Sequence, residues 1–229
     1  MWVHGEGDVI FVDGPQLDYR PSIFPAWANE LDRSMSEAAD HWMYVYQPVA
    51  GDVVIDIGAG KGEDTIAFSR AVGPAGRVIA IEAHPATFRC LRLFCEWNGL
   101  GNVLPIHCAI TGRSGPVTIE DNGDWQSNRI ASGGVTAPGF TLDEIVQREN
   151  LTRIDLLKMN IEGAEAEAMQ GMDRSLGITR ALCISCHDFR GFRTKAIVQE
   201  AVERAGFRIV PRDGDLRPYV ADQVNAVRV

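Results

Sequence analysis

The stretch Val53-Val54-Ile55-Asp56-Ile57-Gly58-Ala59-Gly60-Lys61-Gly62 joins a run of β-branched residues to a turn carrying three alternate glycines. A strand that ends in such a turn lets the backbone bend sharply and approach a ligand before a helix begins. Outward from it, short apolar runs alternate with helical patterns. Residues 52–57, 77–82, 102–107, 154–159, 181–186, 207–210 and 224–229 have strand length and are rich in Val, Ile and Leu. Between them, Phe88, Leu91 and Cys95 share one helical face, as do Ile197, Ala201, Val202 and Ala205. Thr141-Leu-Asp-Glu144 has the form of a capping box and predicts a helix start. Ser34-Met-Ser-Glu37 has the same form and predicts a helix running to about Tyr46. This alternation predicts an α/β fold, a mainly parallel sheet with helices on both faces. The linker between Val210 and Val224 is rich in Asp, Gly and Pro and too short for a parallel crossover. The last strand is therefore expected to run antiparallel, beside its predecessor.

The chain has 229 residues, of which 45% are apolar and 23% charged, enough for one sizeable core. A net charge of −9 argues against a general nucleic-acid binder. No apolar stretch approaches the ~20 residues of a membrane-spanning helix. The opening, Met1-Trp2-Val3-His4, lacks the basic start and apolar run of a secretion signal. A soluble, cytoplasmic protein is the expectation. Five scattered cysteines do not suggest a disulfide framework. Cys183-Ile-Ser-Cys186-His187 matches redox and haem-attachment patterns, but it falls in a strand, where positions three apart face opposite ways; core packing is the reading. Residues 1–50 form an aromatic-rich extension ahead of a main domain at 51–229. Its rings, Trp2, Trp27, Trp42, Tyr44 and Tyr46, either pack on the core or a subunit interface, or line an acceptor pocket. A homo-oligomer stays open. Residues 122–139, full of Gly, Ser and Asn, read as a long loop, either a lid or disordered.

The glycine turn has two chemical readings. Glu82 ends the second strand, where an acid can accept both ribose hydroxyls of either NAD or S-adenosylmethionine. The spacing here is G-x-G-x-G, with Asp64 near the third position of the dinucleotide fingerprint. Asp56, at the strand's carboxyl end, would repel a pyrophosphate and attract the ammonium and sulfonium of a methionine moiety. S-adenosylmethionine is favoured over NAD, and a methyltransferase over a dehydrogenase. Lys158 falls inside a parallel strand, where a lysine needs a partner, and Asp56 is the candidate.

Three blocks together resemble the FkbM-type methyltransferases: Val54-Ile-Asp-Ile-Gly-Ala-Gly-Lys-Gly62, Ile81-Glu-Ala-His-Pro85, and Ile154-Asp-Leu-Leu-Lys-Met-Asn-Ile-Glu-Gly-Ala-Glu165. The resemblance covers about residues 50–190. It implies a class I methyltransferase fold, a Rossmann-like seven-stranded sheet, mostly parallel with an antiparallel last strand. It also implies S-adenosyl-L-methionine as cofactor and a hydroxyl acceptor on a sugar or natural-product scaffold. By position, Asp56, Gly58, Ala59 and Gly60 would hold the methionine end, Glu82 the ribose, and Ala83 and Ala109 the adenine. Asn160 would end the fourth strand beside Asp56, at the switch point where such folds bind ligands. The family more often has Asp there, so no metal is expected, while Asn can still orient the methionine by hydrogen bonding. His187 stands where the family often has a His and is the expected general base, with Glu162 as the alternative. Ser185 replaces an acid common in the family, removing one orienting partner for that histidine. Glu165 is expected at the start of the next helix, where negative charge is favourable. His84, His107, His41 and His4 have weaker claims. An O-methyltransferase acting on a hydroxylated small molecule is the expectation; an N-methyltransferase and a catalytically silent cofactor-binding protein are the alternatives.

Overall fold

The computed structural model describes residues 2–6, 9–13, 30–121, 128–187 and 193–229. In chain order the first elements are β1 (Trp2–Glu6), β2 (Val9–Asp13) and α1 (Glu30–Glu37), which runs into a π-helical turn at Ala38–Trp42. There follow β3 (Val53–Ile57), α2 (Thr65–Val72), β4 (Arg77–Glu82), α3 (Pro85–Trp97), β5 (Val103–His107), β6 (Ala109–Ile110) and β7 (Gly115–Ile119). The second half holds β8 (Val135–Phe140), α4 (Leu142–Arg148), β9 (Ile154–Met159), α5 (Glu165–Ala168) and α6 (Asp173–Gly177). It closes with β10 (Thr179–Ser185), α7 (Thr194–Arg204), β11 (Phe207–Ile209), α8 (Pro218–Ala221) and β12 (Gln223–Arg228).

Seven strands form the main sheet in the order β11-β12-β10-β9-β3-β4-β5. β3, β4, β5, β9 and β10 pair in parallel, while β12 lies antiparallel between β10 and β11. This is the seven-stranded sheet that the resemblance implies, with the antiparallel last strand that the short linker requires. Pro105 is tolerated because β5 is an edge strand, where a missing N–H leaves no ladder bond broken. All five cysteines are free and buried, and Cys183 and Cys186 belong to different clusters on opposite faces of β10.

The two faces of the sheet differ in chemistry. Ile81, Ile57, Met159, Ile184 and Val224 are neighbours across the strands and line one face. They pack against Leu142, Ile145 and Val146 of α4 and Val198 and Val202 of α7. One residue along each strand, where the pleat turns side chains the other way, the row reads Ala80, Asp56, Lys158, Cys183 and Asn225. That face is covered by Phe68 and Val72 of α2 and by Ala38 and Trp42. The β1–β2 hairpin seats Val9 and Val12 on Leu91 and Phe94 of α3, and Asn98 bonds the Ile10 backbone through both its amide oxygen and its nitrogen. Among the described residues, no helix is long and apolar enough to cross a membrane.

Two expectations are corrected. The helix before the sheet begins at Glu30 and its π-helical turn ends at Trp42; Ser34 is not a cap but a buried position within α1. Ser34, Ala38 and Trp42, four residues apart, form the stripe that faces the core. The supposed loop at 122–139 is a strand from Val135 onward. β8 is the middle strand of a small sheet ordered β6-β8-β7, and Ile130 bridges to Ile119. Pro138 and Gly139 disguise it, yet Ala137 and Gly139 turn inward as in any half-buried strand. Residues 122–127, the first part of the proposed lid, lie outside the described residues.

The Thr141 capping box is present in full: the Thr141 hydroxyl accepts from Glu144 N at 3.2 Å, and Glu144 Oε2 accepts from Thr141 N at 3.0 Å. Thr141→Ala should therefore lower stability by about 1 kcal/mol, read as a shifted midpoint in urea. An unchanged midpoint would show that α4 gains nothing from its cap.

Candidate functional site

The site is built on the polar row of the sheet. Asp56 is 0% exposed and Lys158 1%, and they meet at 2.8 Å between Asp56 Oδ1 and Lys158 Nζ. The same ammonium donates to the Gly58 carbonyl at 2.8 Å, lies 3.6 Å from Asp64 Oδ2, and sits 4.9 Å from the Trp42 ring centre. Thr65 Oγ1 donates to the other Asp56 oxygen at 2.7 Å. Burial works against the Lys158 charge, but Asp56 and Asp64 outweigh it and hold its pKa above the usual value. Burial pushes Asp64 up to about 6, against the pull of Lys158. The expected Lys158–Asp56 pairing is thus present, and it bears on the role expected of Asp56. Its carboxylate faces inward and its charge is met, so it does not by itself choose between a sulfonium and a phosphate.

The geometry of the turn bears on the same question. Gly58 has φ +74°, and a Cβ there would lie 1.9 Å from the Asn160 carbonyl oxygen, so only glycine lets β3 and β9 close together. At Gly62 a Cβ would lie 2.5 Å from the Phe94 ring. Five successive backbone N–H groups are already engaged. Gly58 and Ala59 donate to the Ile81 carbonyl at 2.9 and 3.0 Å, and Gly62 to the Ala59 carbonyl at 3.1 Å. Gly60 donates to Glu82 Oε2 at 3.0 Å and Lys61 to Glu63 Oε2 at 3.2 Å. A diphosphate cradle depends on turn amides aimed at the ligand, and none of these five is left for one.

Carried one step beyond the paired residues, the polar row reaches Gln223, Ser185, Asn160, Gly58 and Glu82 at the carboxyl edge. Glu82 is half-buried, accepts from His84 N at 2.8 Å as well as from Gly60, and is pushed up to about 7 by burial. Asn160 N donates to the Ile57 carbonyl at 3.0 Å, whereas its side-chain Oδ1 is buried with no hydrogen-bond partner. An unmet buried acceptor costs about 1–3 kcal/mol and marks a place for a donor. Ala83 follows β4, and its carbonyl lies 3.1 Å from His107 Nε2; that ring stacks on Phe88 at 4.8 Å. Ala109 is buried in β6, and the Ala59 side chain packs with Ile66 and Leu91, which leaves only its backbone to the turn. His84 is buried, with Nε2 3.5 Å from Asp121 Oδ1, and burial lowers its pKa.

At the far end of the row, His187 follows β10 and stays one-third exposed. Its Nδ1 lies 3.1 Å from Glu165 Oε1 and its Nε2 lies 3.6 Å from Glu162 Oε1. The bond to Glu165, with the Glu162 charge adding to it, holds the His187 pKa above its ordinary value despite burial. The structure thus brings His187 and Glu162 together. Glu165 heads α5 as expected, but its bond to His187 was missed; the two are 22 residues apart on different elements, with no local signal to join them. Of the N-terminal rings, Trp42 packs in the core over Lys158, Tyr44 lies under Arg212, and Tyr46 donates to Asp52 at 2.7 Å. The side chains of Trp2 and His4, and all of Trp27, lie outside the described residues. His41 stacks on Trp42 and is pushed down to about 4, mainly by burial.

Lys158→Met should leave Asp56 buried and unpaired and cost about 3–5 kcal/mol, and adding Asp56→Leu should recover most of that loss. Chemical denaturation of both variants measures it. A single variant within 1 kcal/mol of the parent would show that the pair is not holding the turn.

A family profile described as the methyltransferase FkbM domain matches residues 56–209. Hexuronic acid methyltransferase AglP of Haloferax volcanii is 25% identical over 141 residues, which is 59% of this chain and 56% of that relative. Among solved structures, methyltransferase FkbM from Methylobacillus flagellatus is similar with a TM-score of 0.57 at 17% identity, over 80% of this chain and 45% of that one. A putative rRNA methylase from Clostridium thermocellum is similar with a TM-score of 0.54 at 14% identity, over 86% of this chain and 93% of that one. The chain spans about half the length of the first two relatives.

Proposed function

The chain belongs to the FkbM methyltransferase family, and from that premise we propose that it moves a methyl group from S-adenosylmethionine to a hydroxyl of a sugar-like small molecule. The observation that carries this reading is the chemistry of the sheet's carboxyl edge. It presents acceptors, Glu82 and the unpartnered Asn160 Oδ1, beside a turn whose amides are consumed. A ligand that brings an ammonium, a sulfonium and ribose hydroxyls meets those acceptors; a diphosphate does not. Asn160 Oδ1 accepts from the ammonium, Glu82 accepts from the ribose hydroxyls, and Ala83 and Ala109 border the adenine. Asp56 contributes indirectly, by fixing the turn through Lys158 and Thr65.

When bound, the cofactor supplies an electrophilic methyl group for in-line displacement. The protein's task is then to position the acceptor and remove its proton. His187 takes that proton at Nε2, and Glu162, 3.6 Å away, stabilises the resulting positive charge. The hexuronic acid methyltransferase among its relatives supports a sugar as the acceptor.

Titration calorimetry should give binding of S-adenosylmethionine and none of NAD; NAD binding alone would overturn the reading. Because Glu82 takes up a proton near pH 7, cofactor affinity should weaken as pH falls through that value, and Glu82→Gln should flatten the dependence. His187→Ala should leave cofactor affinity intact and cut turnover of a sugar acceptor by ~10²–10⁴. Cofactor binding with no methylation across a broad hydroxyl panel would point to a silent binder.

A further inference from the structure

Glu165 has more to do than head a helix. It is 0% exposed, and its Oε1 accepts from Ile161 N at 3.3 Å and Gly163 N at 3.2 Å besides meeting His187 Nδ1. Its other oxygen, Oε2, is buried with no hydrogen-bond partner. An acid kept only to tie two backbone amides would not need to bury a second oxygen unmet, since that has its own cost. The arrangement makes sense for a group retained for its charge on the ring.

We propose that Glu165 is a positioning residue: it holds His187 as the Nδ1–H tautomer, so that the Nε2 lone pair faces the acceptor hydroxyl. This rests on the reading of His187 as the base. A carboxylate only accepts, so the ring nitrogen that meets it must carry the hydrogen, and in a neutral imidazole the other nitrogen is then the acceptor. Nε2 is also the nitrogen nearer Glu162, at a distance too long for a direct bond. Glu162 is itself held in the left-handed region at φ +54°, followed by Gly163 at +99°, whose N–H is one of the two that donate to Glu165. Glu165 therefore fixes the ring and also ties down the loop that presents Glu162.

The charged groups facing His187 among the described residues are Glu165 on α5, Glu162 on the β9–α5 loop and Asp222 before β12, all acidic. In the reaction the hydroxyl proton passes to Nε2. The oxygen's electron pair forms the new bond to the methyl carbon as the carbon–sulfur bond breaks. The imidazolium is held between Glu165 and Glu162 until it releases the proton to solvent. Since the ring must be neutral to act, turnover falls as pH drops through its raised pKa.

Nitrogen-15 NMR of His187, with kinetics on the same samples, tests this. The parent protein should show the Nδ1–H tautomer and titrate above the ordinary histidine value. Glu165→Gln should bring the titration down, move the acid limb of the kcat profile the same way, and reduce kcat by ~10–10³-fold with KM little changed. Glu165→Asp, which keeps the charge, should restore part of the turnover. An Nε2–H tautomer in the parent overturns the proposal whether or not any variant folds. So does a Glu165→Gln protein in which His187 titrates as before. Parental turnover in His187→Ala, with the titration shifted by Glu165→Gln, would instead overturn the base and leave the contact standing.

Discussion

An ammonium group inside a parallel sheet has to be met by charge where it stands, because water cannot reach it. Lys158 is met by Asp56 on the next strand and, through the Gly58 carbonyl, by the turn itself. With Thr65 on the other Asp56 oxygen, one pair of side chains connects β9, β3, the glycine turn and α2. Burying such a pair is weak ground for stability, since desolvation offsets most of the attraction. Its effect is geometric. It sets how the turn lies against β9, and the turn's amides are thereby directed inward to Ile81, Glu82, Glu63 and Ala59. A sheet edge lined with acceptors is the result.

The rest of the site depends on the same sheet having one apolar face and one mixed face. Ile57, Met159 and Ile184 anchor the helices of one side, and their neighbours one residue away bring Asp56, Lys158 and Cys183 to the other. Trp42 roofs this second row, set there by a π-helical turn. At the edge of the row, where the strands stop, the polarity continues in half-buried side chains. Asn160 and Glu82 are simply the next residues on that face.

The sheet was legible because fully buried parallel strands read as unbroken Val, Ile and Leu runs. The antiparallel last strand followed from linker length, and α4 from a cap formed wholly within four residues. Where the pattern was local, it sufficed. β8 escaped because Pro138 and Gly139 are loop residues by habit, and the end of α1 because Ser34 obeys its burial stripe instead of its capping preference. In the site, Glu82 and Asn160 were placed by strand ends alone. The Lys158–Asp56 pair was legible because a lysine inside a sheet needs a partner, whereas the partner of His187, on a different element, left no local signal.

The position of β12 has a consequence for how the chain comes off the ribosome. β11 touches the main sheet only through β12, which is made after it. While residues 207–209 emerge, the exposed edge of β10 has no partner, and it must wait until residues 223–228 have been synthesised and slotted between two strands already present. The final ladder forms by insertion instead of addition. Vectorial folding can therefore complete the glycine turn early, but it leaves an open strand edge, prone to pairing with other chains, until β12 has been made.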